Sequence, residues 1–177
     1  FKASTIVSDF QFKRLKINTH QTKWKKSVFE VYSDASINNS WNQILKKECK
    51  KNNIDFLTSP YDLNYVDQVN KFIPAYKIGS GDITWKDIIV KIAKKKKPVI
   101  IATGASTFND VVNTVNLILK YNSKLIVMQC NTNYTADEKN FNYINLNVLK
   151  KFSKFFKDKI ILGLSDHTPG HTTVLGA

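Results

Sequence analysis

Apolar residues along this chain come in short, nearly unbroken runs separated by longer stretches of mixed polarity. Five such runs recur, at residues 54–57, 75–78, 98–102, 124–128 and 159–163. They are brief, mostly rich in β-branched residues and largely continuous rather than alternating, as strands covered on both faces are. The segments between them carry helical spacing. Ile88, Ile89, Ile92 and Ala93 follow Thr84, a predicted N-cap, and Val111, Val112, Val115, Leu117, Ile118 and Leu119 follow Ser106 and Thr107. The Thr107/Asp110 spacing reads as a capping box with Asp in place of Glu. Helices are also predicted over residues 41–51 and 144–156.

Five strand-then-helix units in series predict a parallel α/β fold. Periodicity alone leaves a doubly wound sheet and a barrel of eight such units both open. Residues 1–40 are polar and irregular, and predict a long functional loop. No low-complexity linker divides the chain, which therefore reads as one domain.

Length and composition narrow the class. The 177 residues, 42% of them hydrophobic, can bury a sizeable core. No run approaches the roughly 20 apolar residues that span a bilayer, so no membrane association is expected. Phe1-Lys2-Ala3-Ser4 lacks the pattern of a signal peptide. The chain opens on Phe1, its one methionine is Met128, and it stops at Leu175-Gly176-Ala177 with no closing helix predicted. These features lead to the expectation of a fragment, truncated at both ends. Two cysteines, Cys49 and Cys130, make no disulfide framework and have no partner at metal-ligand spacing, which suggests a reducing, cytoplasmic compartment.

The net charge of +13 raises nucleic acid as a partner. The excess is nearly all lysine spread over polar helix faces, without interleaved aromatics, so solvated faces are the expected reading and no nucleic-acid partner is assigned. The densest run, Lys94-Lys95-Lys96-Lys97, closes a predicted helix, where cations complement the negative helix end.

Chemistry concentrates after the apolar runs. They lead into Thr58-Ser59-Pro60-Tyr61-Asp62, Gly79-Ser80-Gly81-Asp82, Thr103-Gly104-Ala105-Ser106, Gln129-Cys130-Asn131-Thr132-Asn133-Tyr134 and Ser165-Asp166-His167-Thr168-Pro169-Gly170-His171. A parallel sheet gathers its ligand groups at the carboxyl ends of its strands. Glycines admitting the backbone, hydroxyls that donate and one cation suit a phosphate. Small polar residues also end strands merely to make turns. Lys77 is the sharpest residue: inside a predicted strand, its ammonium is costly to bury without an anion, unless it reaches outward or pairs with Asp82. His167, between a carboxylate and a hydroxyl, suits a metal ligand or a general base. His171 and His20 have less to recommend them. No Walker motif, nucleotide-binding glycine loop or nucleophile elbow is present.

At these same residues the chain resembles the sialic acid synthase family (N-acetylneuraminate synthases with the legionaminate and pseudaminate synthases). The matching stretches are Phe56-Leu57-Thr58-Ser59-Pro60-Tyr61-Asp62, Ala75-Tyr76-Lys77-Ile78-Gly79-Ser80-Gly81-Asp82, residues 98–106, Gln129-Cys130-Asn131-Thr132-Asn133-Tyr134 and Leu162-Gly163-Leu164-Ser165-Asp166-His167-Thr168. Phe1-Lys2-Ala3 is similar to the continuation of that family's second barrel strand.

The resemblance implies an incomplete (β/α)8 TIM barrel with about five of its units, lacking the family's C-terminal antifreeze-like domain. It implies a transferase that condenses phosphoenolpyruvate with an N-acetylated amino sugar to a nine-carbon 2-keto acid and phosphate. It implies a divalent ion, manganese or magnesium, and a homodimer of the full-length protein. By position it gives Ser59, Lys77, Ser80, Thr103, Thr132 and Ser165 to phosphoenolpyruvate, and Asp82, Asn133 and Tyr134 to the sugar. His167 falls to the metal, and Lys77, Asp82 and His167 count as catalytic. Ala102 stands where many members have a serine that touches phosphate, so Thr103 or backbone N–H groups are expected to substitute. Other readings are an aldolase or another phosphoenolpyruvate-using barrel and, from a different class, a basic module that binds nucleic acid or another anion.

Overall fold

The computed structural model describes residues 6–16 and 20–177, so the expectation for Phe1-Lys2-Ala3 and the side chain of His20 lie outside the described residues. Two compact units emerge, one from residues 1–56 and 61–72, the other from 57–60 and 73–177.

The described part of the first unit is helical. Two short helices stand where an irregular loop is expected, α1 (Asp9–Arg14) and α2 (Val28–Asp34). Each begins with a complete capping box: Ser8 with Gln11, and Ser27 with Glu30. Reciprocal capping satisfies two otherwise orphaned N–H groups, which lets helices this short persist. The S-x-x-E/Q spacing is the local signal that marks them. Helix α3 (Trp41–Lys51) keeps its predicted bounds, and α4 (Leu63–Val69) is capped by the Asp62 carboxylate, which accepts from the N–H groups of Asn64 and Tyr65. The Tyr65 hydroxyl and the buried Asn42 Oδ1 join α4 to α3 at 2.7 Å.

The first apolar run, residues 54–57, is not a strand. Its start is consumed by the end of α3. Asn53 takes a left-handed conformation (φ 54°), its N–H bonds the Lys50 carbonyl, and the Ile54 N–H bonds the Cys49 carbonyl. That is a Schellman closure with Asn in place of the usual glycine. Ile54 is left 62% exposed, so the hydrophobicity that suggested a strand is not buried.

The other four runs form a parallel sheet ordered β1-β2-β3-β4, with β1 at Tyr76–Ile78, β2 at Val99–Ala102, β3 at Leu125–Cys130 and β4 at Ile161–Ser165. Tyr76 pairs with Val99 and Val99 with Leu125, while Cys130 pairs with Ser165. Between the strands run α5 (Lys86–Ala93), α6 (Phe108–Leu119) and α7 (Asn147–Phe156). One sheet face is covered along β1, β2 and β3: Tyr76, Ile78, Val99, Ile101, Leu125 and Val127 are at most 3% exposed, whereas Leu162 of β4, level with Val127, is 37% exposed. The alternate positions, Lys77, Ile100, Ile126 and Met128, are only half-buried. The first three strands are therefore dry on one side and more open to a ligand or further chain on the other, while β4 has no buried residue on either face.

Helix ends follow local chemistry. The Thr107 box forms as predicted, with the Asp110 carboxylate accepting from the Thr107 hydroxyl at 2.6 Å. Those bonds hold the Asp110 carboxyl below its usual range. Helix α5 departs from expectation, because its N-cap is Trp85 rather than Thr84 and no side chain caps it. The turn at Ser80–Asp82 displaces the start, with the Trp85 N–H committed to the Asp82 carbonyl. Helix α7 begins three residues later than predicted, since Ile144 is still extended. A short helix α8 (Thr172–Gly176) stands where no closing helix is expected.

Candidate active site

Because all four strands are parallel, their carboxyl ends share one edge of the sheet, and each loop that leaves that edge carries candidate groups. Gly79-Ser80-Gly81-Asp82 follows β1, Thr103-Gly104-Ala105-Ser106 follows β2, Asn131-Thr132-Asn133-Tyr134 follows β3, and Asp166-His167-Thr168 follows Ser165 at the end of β4. Ser59 lies outside any strand but belongs with the sheet unit and is half-buried.

Lys77 points away from the covered face, level with Ile100. It is half-buried, and it makes no ion pair with Asp82 or any other described carboxylate. The pairing considered for it in the sequence is therefore not formed. A half-buried ammonium without a counter-charge is a group held ready for an anion. Ser80 is 9% exposed at the start of the turn after β1.

Asp82, two residues on, is half-buried, and burial raises its carboxyl above the usual carboxylate range. The folded chain thus holds this proton more tightly than the unfolded chain does. Stability then falls as pH rises from the unfolded value towards the raised one, because ionising the buried group costs free energy. Asp82→Asn is expected to melt higher than the parent at pH 7, with the gap closing below pH ~3.8, the unfolded carboxyl value. Melting curves by circular dichroism at pH 7 and pH 3 check this. An equal gap at both pH values would mean that the ionised carboxylate carries no burial cost.

Thr103 sits differently from the expected phosphate ligand. Its hydroxyl donates to the Met128 carbonyl at 3.0 Å, and it is buried towards the helices rather than towards Lys77. Thr132 packs against Gly104, where an added Cβ would overlap its Cγ2. Asn133 is tied into its own loop: its side-chain oxygen accepts from Thr135 at 3.0 Å, and its carbonyl accepts from the buried Asn140 at 3.2 Å.

Tyr134 and His167 come from neighbouring loops and meet edge to face, their ring centroids 4.5 Å apart. The Tyr134 phenol is held above its usual range, first by partial burial and then by the nearby Cys130. Asp166 turns back on its loop, accepting from the Thr168 N–H at 3.1 Å and from the Thr168 hydroxyl, which also meets Thr173 at 2.8 Å. That network fixes the backbone on both sides of His167. Among the described residues no three of His, Cys, Asp and Glu come together to hold a metal ion. His167 alone offers one ligand, so the residues described here do not make a metal site by themselves.

The basic run is partly structural. The Lys96 ammonium meets the Tyr121 carbonyl, and Lys97 reaches the Ile73 carbonyl at 2.7 Å. Among the described residues no helix is long and apolar enough to cross a membrane.

Comparison with known proteins places the chain among sugar-acid synthases by similarity. The chain is 31% identical over 169 residues to the N,N'-diacetyllegionaminic acid synthase of Campylobacter jejuni subsp. jejuni serotype O:2, covering 86% of this chain and 49% of that protein. It is 29% identical over 166 residues to the pseudaminic acid synthase of Helicobacter pylori, covering 88% and 47%. The chain thus spans about half the length of these relatives. The crystal structure of the N-acetylneuraminic acid synthetase of Leptospira borgpetersenii serovar Hardjo-bovis, in complex with citrate, superposes with a TM-score of 0.75. That match covers 85% of this chain and 51% of that one at 22% identity, a likeness of fold. The NeuB family profile matches residues 1–177. Because that match runs the length of the chain, the chain belongs to the NeuB family.

Proposed function

We propose that this chain is the central part of a (β/α)8 catalytic barrel that condenses phosphoenolpyruvate with an N-acetylated amino sugar. The observation that carries this reading is the uncompensated Lys77 ammonium at the ligand-bearing edge of a parallel sheet, on the face opposite the helices, in a chain of the NeuB family. Lys77, Ser80 and Ser165, with Ser59 and Thr132, hold the phosphate and carboxylate of phosphoenolpyruvate by charge and by hydroxyl donors. The Thr103 hydroxyl is committed to Met128, which leaves that position to act through its backbone.

Asp82, Asn133 and Tyr134 orient the sugar. The methylene carbon of phosphoenolpyruvate bonds to the sugar aldehyde carbon, water adds to the former enol carbon, and phosphate leaves. Holding two small anionic and polar substrates in line lowers the entropic part of that barrier. Asp82, whose carboxyl holds its proton more tightly than usual, is suited to exchange a proton with a sugar oxygen. The same proposal includes a cytoplasmic reaction and a homodimer of the full-length protein.

The test is release of phosphate together with a 2-keto acid from phosphoenolpyruvate and N-acetylmannosamine or related N-acylated hexosamines, using a full-length protein that carries this chain. No turnover of phosphoenolpyruvate with any of these acceptors would count against the reading.

The divalent ion belongs to the same proposal, with His167 as one ligand. A single imidazole binds such ions weakly, whereas two fixed imidazoles bind them well. A manganese titration of this chain is therefore expected to show no tight binding. In a full-length protein, His167→Ala is expected to lose activity that added metal restores only in part. Parental activity in the presence of a chelator would remove His167 from the mechanism.

A further inference from the structure

A second recess lies on the side of the sheet away from Lys77. It is a cleft of about 280 Å³ bounded by the loop after β2, the start of α6, the end of β3 and α7. Phe108, Val111, Val148 and Phe152 give it an apolar wall, and Gln129, Asn145 and Lys151 supply its side-chain amides and charge.

Gln129 decides its meaning. Alternation along β3 puts Gln129 on the covered face with Leu125 and Val127, and it is only 6% exposed. Every other position of that row in β3 is aliphatic, and an aliphatic side chain would suit packing alone. Yet its carboxamide, two donors and an acceptor, makes no hydrogen bond to any described residue. Nearby polar groups are already engaged: the Thr103 hydroxyl serves the Met128 carbonyl, and Thr107 is closed on Asp110. The amide is not sealed into the core, since Gln129 lines the cleft, and its donors and acceptor face whatever enters there.

Lys151 adds the second element. Its ammonium stands 4.0 Å from the centroid of the Phe108 ring at the exposed rim, a position that steadies the side chain while leaving the charge accessible. The carboxylate of Asp110, bound to Thr107, does not line the cleft.

We propose that this cleft binds a small carboxylic acid that carries an acylamido group. The ligand amide pairs with Gln129 and Asn145, the acyl carbons lie on the wall of Phe108 and Phe152, and the carboxylate meets Lys151. The volume is at the lower end of small-molecule pockets and admits a molecule of sugar or amino-acid size. The proposal shares the loop after β2 with the condensation reading but none of its charged side chains, because Lys77 belongs to the other face of the sheet and does not line the cleft.

Two probes separate the sources of this chemistry, N-acetylneuraminate as a sugar acid and N-acetylalanine as an acyl amino acid. Each is titrated into the isotopically labelled 177-residue chain while the Gln129 side-chain NH2 resonances are followed by NMR. Saturable movement of that pair is expected with at least one probe, and the probe that moves it identifies the source. Lys151→Gln is expected to weaken the response about tenfold through loss of a charge-assisted contact. Lys77→Met is expected to leave it unchanged. Gln129→Leu assigns the resonance pair and should lower affinity by about tenfold or more. If that variant fails to fold, the titration of the unaltered chain still decides. Gln129 resonances unmoved by both probes at tens of millimolar, or a response abolished by Lys77→Met and retained in Lys151→Gln, would overturn the proposal.

Discussion

Lys77→Met is expected to weaken phosphoenolpyruvate binding roughly ten- to a hundredfold, the loss of a charge-assisted contact of about 1.5–3 kcal/mol. The expectation comes from where β1 puts this residue. Tyr76 and Ile78, at 0% and 3% exposure, fasten the strand into the covered face, so Lys77 must emerge on the other. There it is half-buried without an ion pair among the described residues. Methionine keeps most of the aliphatic stem and removes the charge, so the fold has little to lose. Steady-state kinetics of a full-length protein should show the Michaelis constant for phosphoenolpyruvate rising, with a melting temperature at or above that of the parent. An unchanged Michaelis constant and turnover would make Lys77 a structural residue.

Gly104→Ala is expected to cost about 1–3 kcal/mol, the range for forcing an extra carbon into a packed site. A Cβ there would overlap Thr132 Cγ2, and would stand 3.0 Å from the Cys130 carbonyl oxygen and 3.2 Å from its sulfur. The Cys130 carbonyl belongs to β3 and cannot rotate away, so the strain falls on Thr132 and on the turn. The next residue already carries strain, since Ala105 holds φ at 59°. The glycine thus lets the loop after β2 lie against the loop after β3, and its loss moves one proposed phosphate ligand. Thermal unfolding of this chain measures the stability loss directly. A variant that melts with the parent would show that the turn yields freely and that Gly104 is not needed for close approach.

The two effects differ in kind. Lys77 acts through a charge that the folded chain leaves uncompensated, so its removal shows in binding and spares stability. Gly104 acts through the space between two loops, so its substitution shows first in stability and reaches the site through Thr132.

Much of the fold is legible in the chain because the relevant forces are local. Runs such as Val99-Ile100-Ile101-Ala102 are apolar at successive positions, which only an element covered at least in part on both faces can use, and four of the five become neighbouring parallel strands. The Thr107 box is written in four residues and forms as read. The polar clusters after each run also follow directly, since a parallel sheet must turn at its carboxyl ends. In the same way, Ser80, Thr132, Ser165 and His167 reach one edge because each follows a strand of the same direction.

Sequence alone determined that this is a parallel α/β chain whose candidate polar groups lie at its strand ends, because periodicity and turn residues act over a few neighbours. Tertiary structure decided the rest. Residues 54–57 have a strand's composition, but the Schellman closure at Asn53 spends Ile54 on a helix end, and no sheet partner recovers it. Thr103 has the hydroxyl of a phosphate ligand, but strand alternation aims it at the Met128 carbonyl. Tyr134 and His167 are 33 residues apart in sequence, and only the pairing of β3 with β4 brings their rings into contact. Gln129 looks like an ordinary strand-end polar residue until the register places it on the covered face with no partner. Direction, burial and company are set by elements far along the chain, and local spacing carries no information about them.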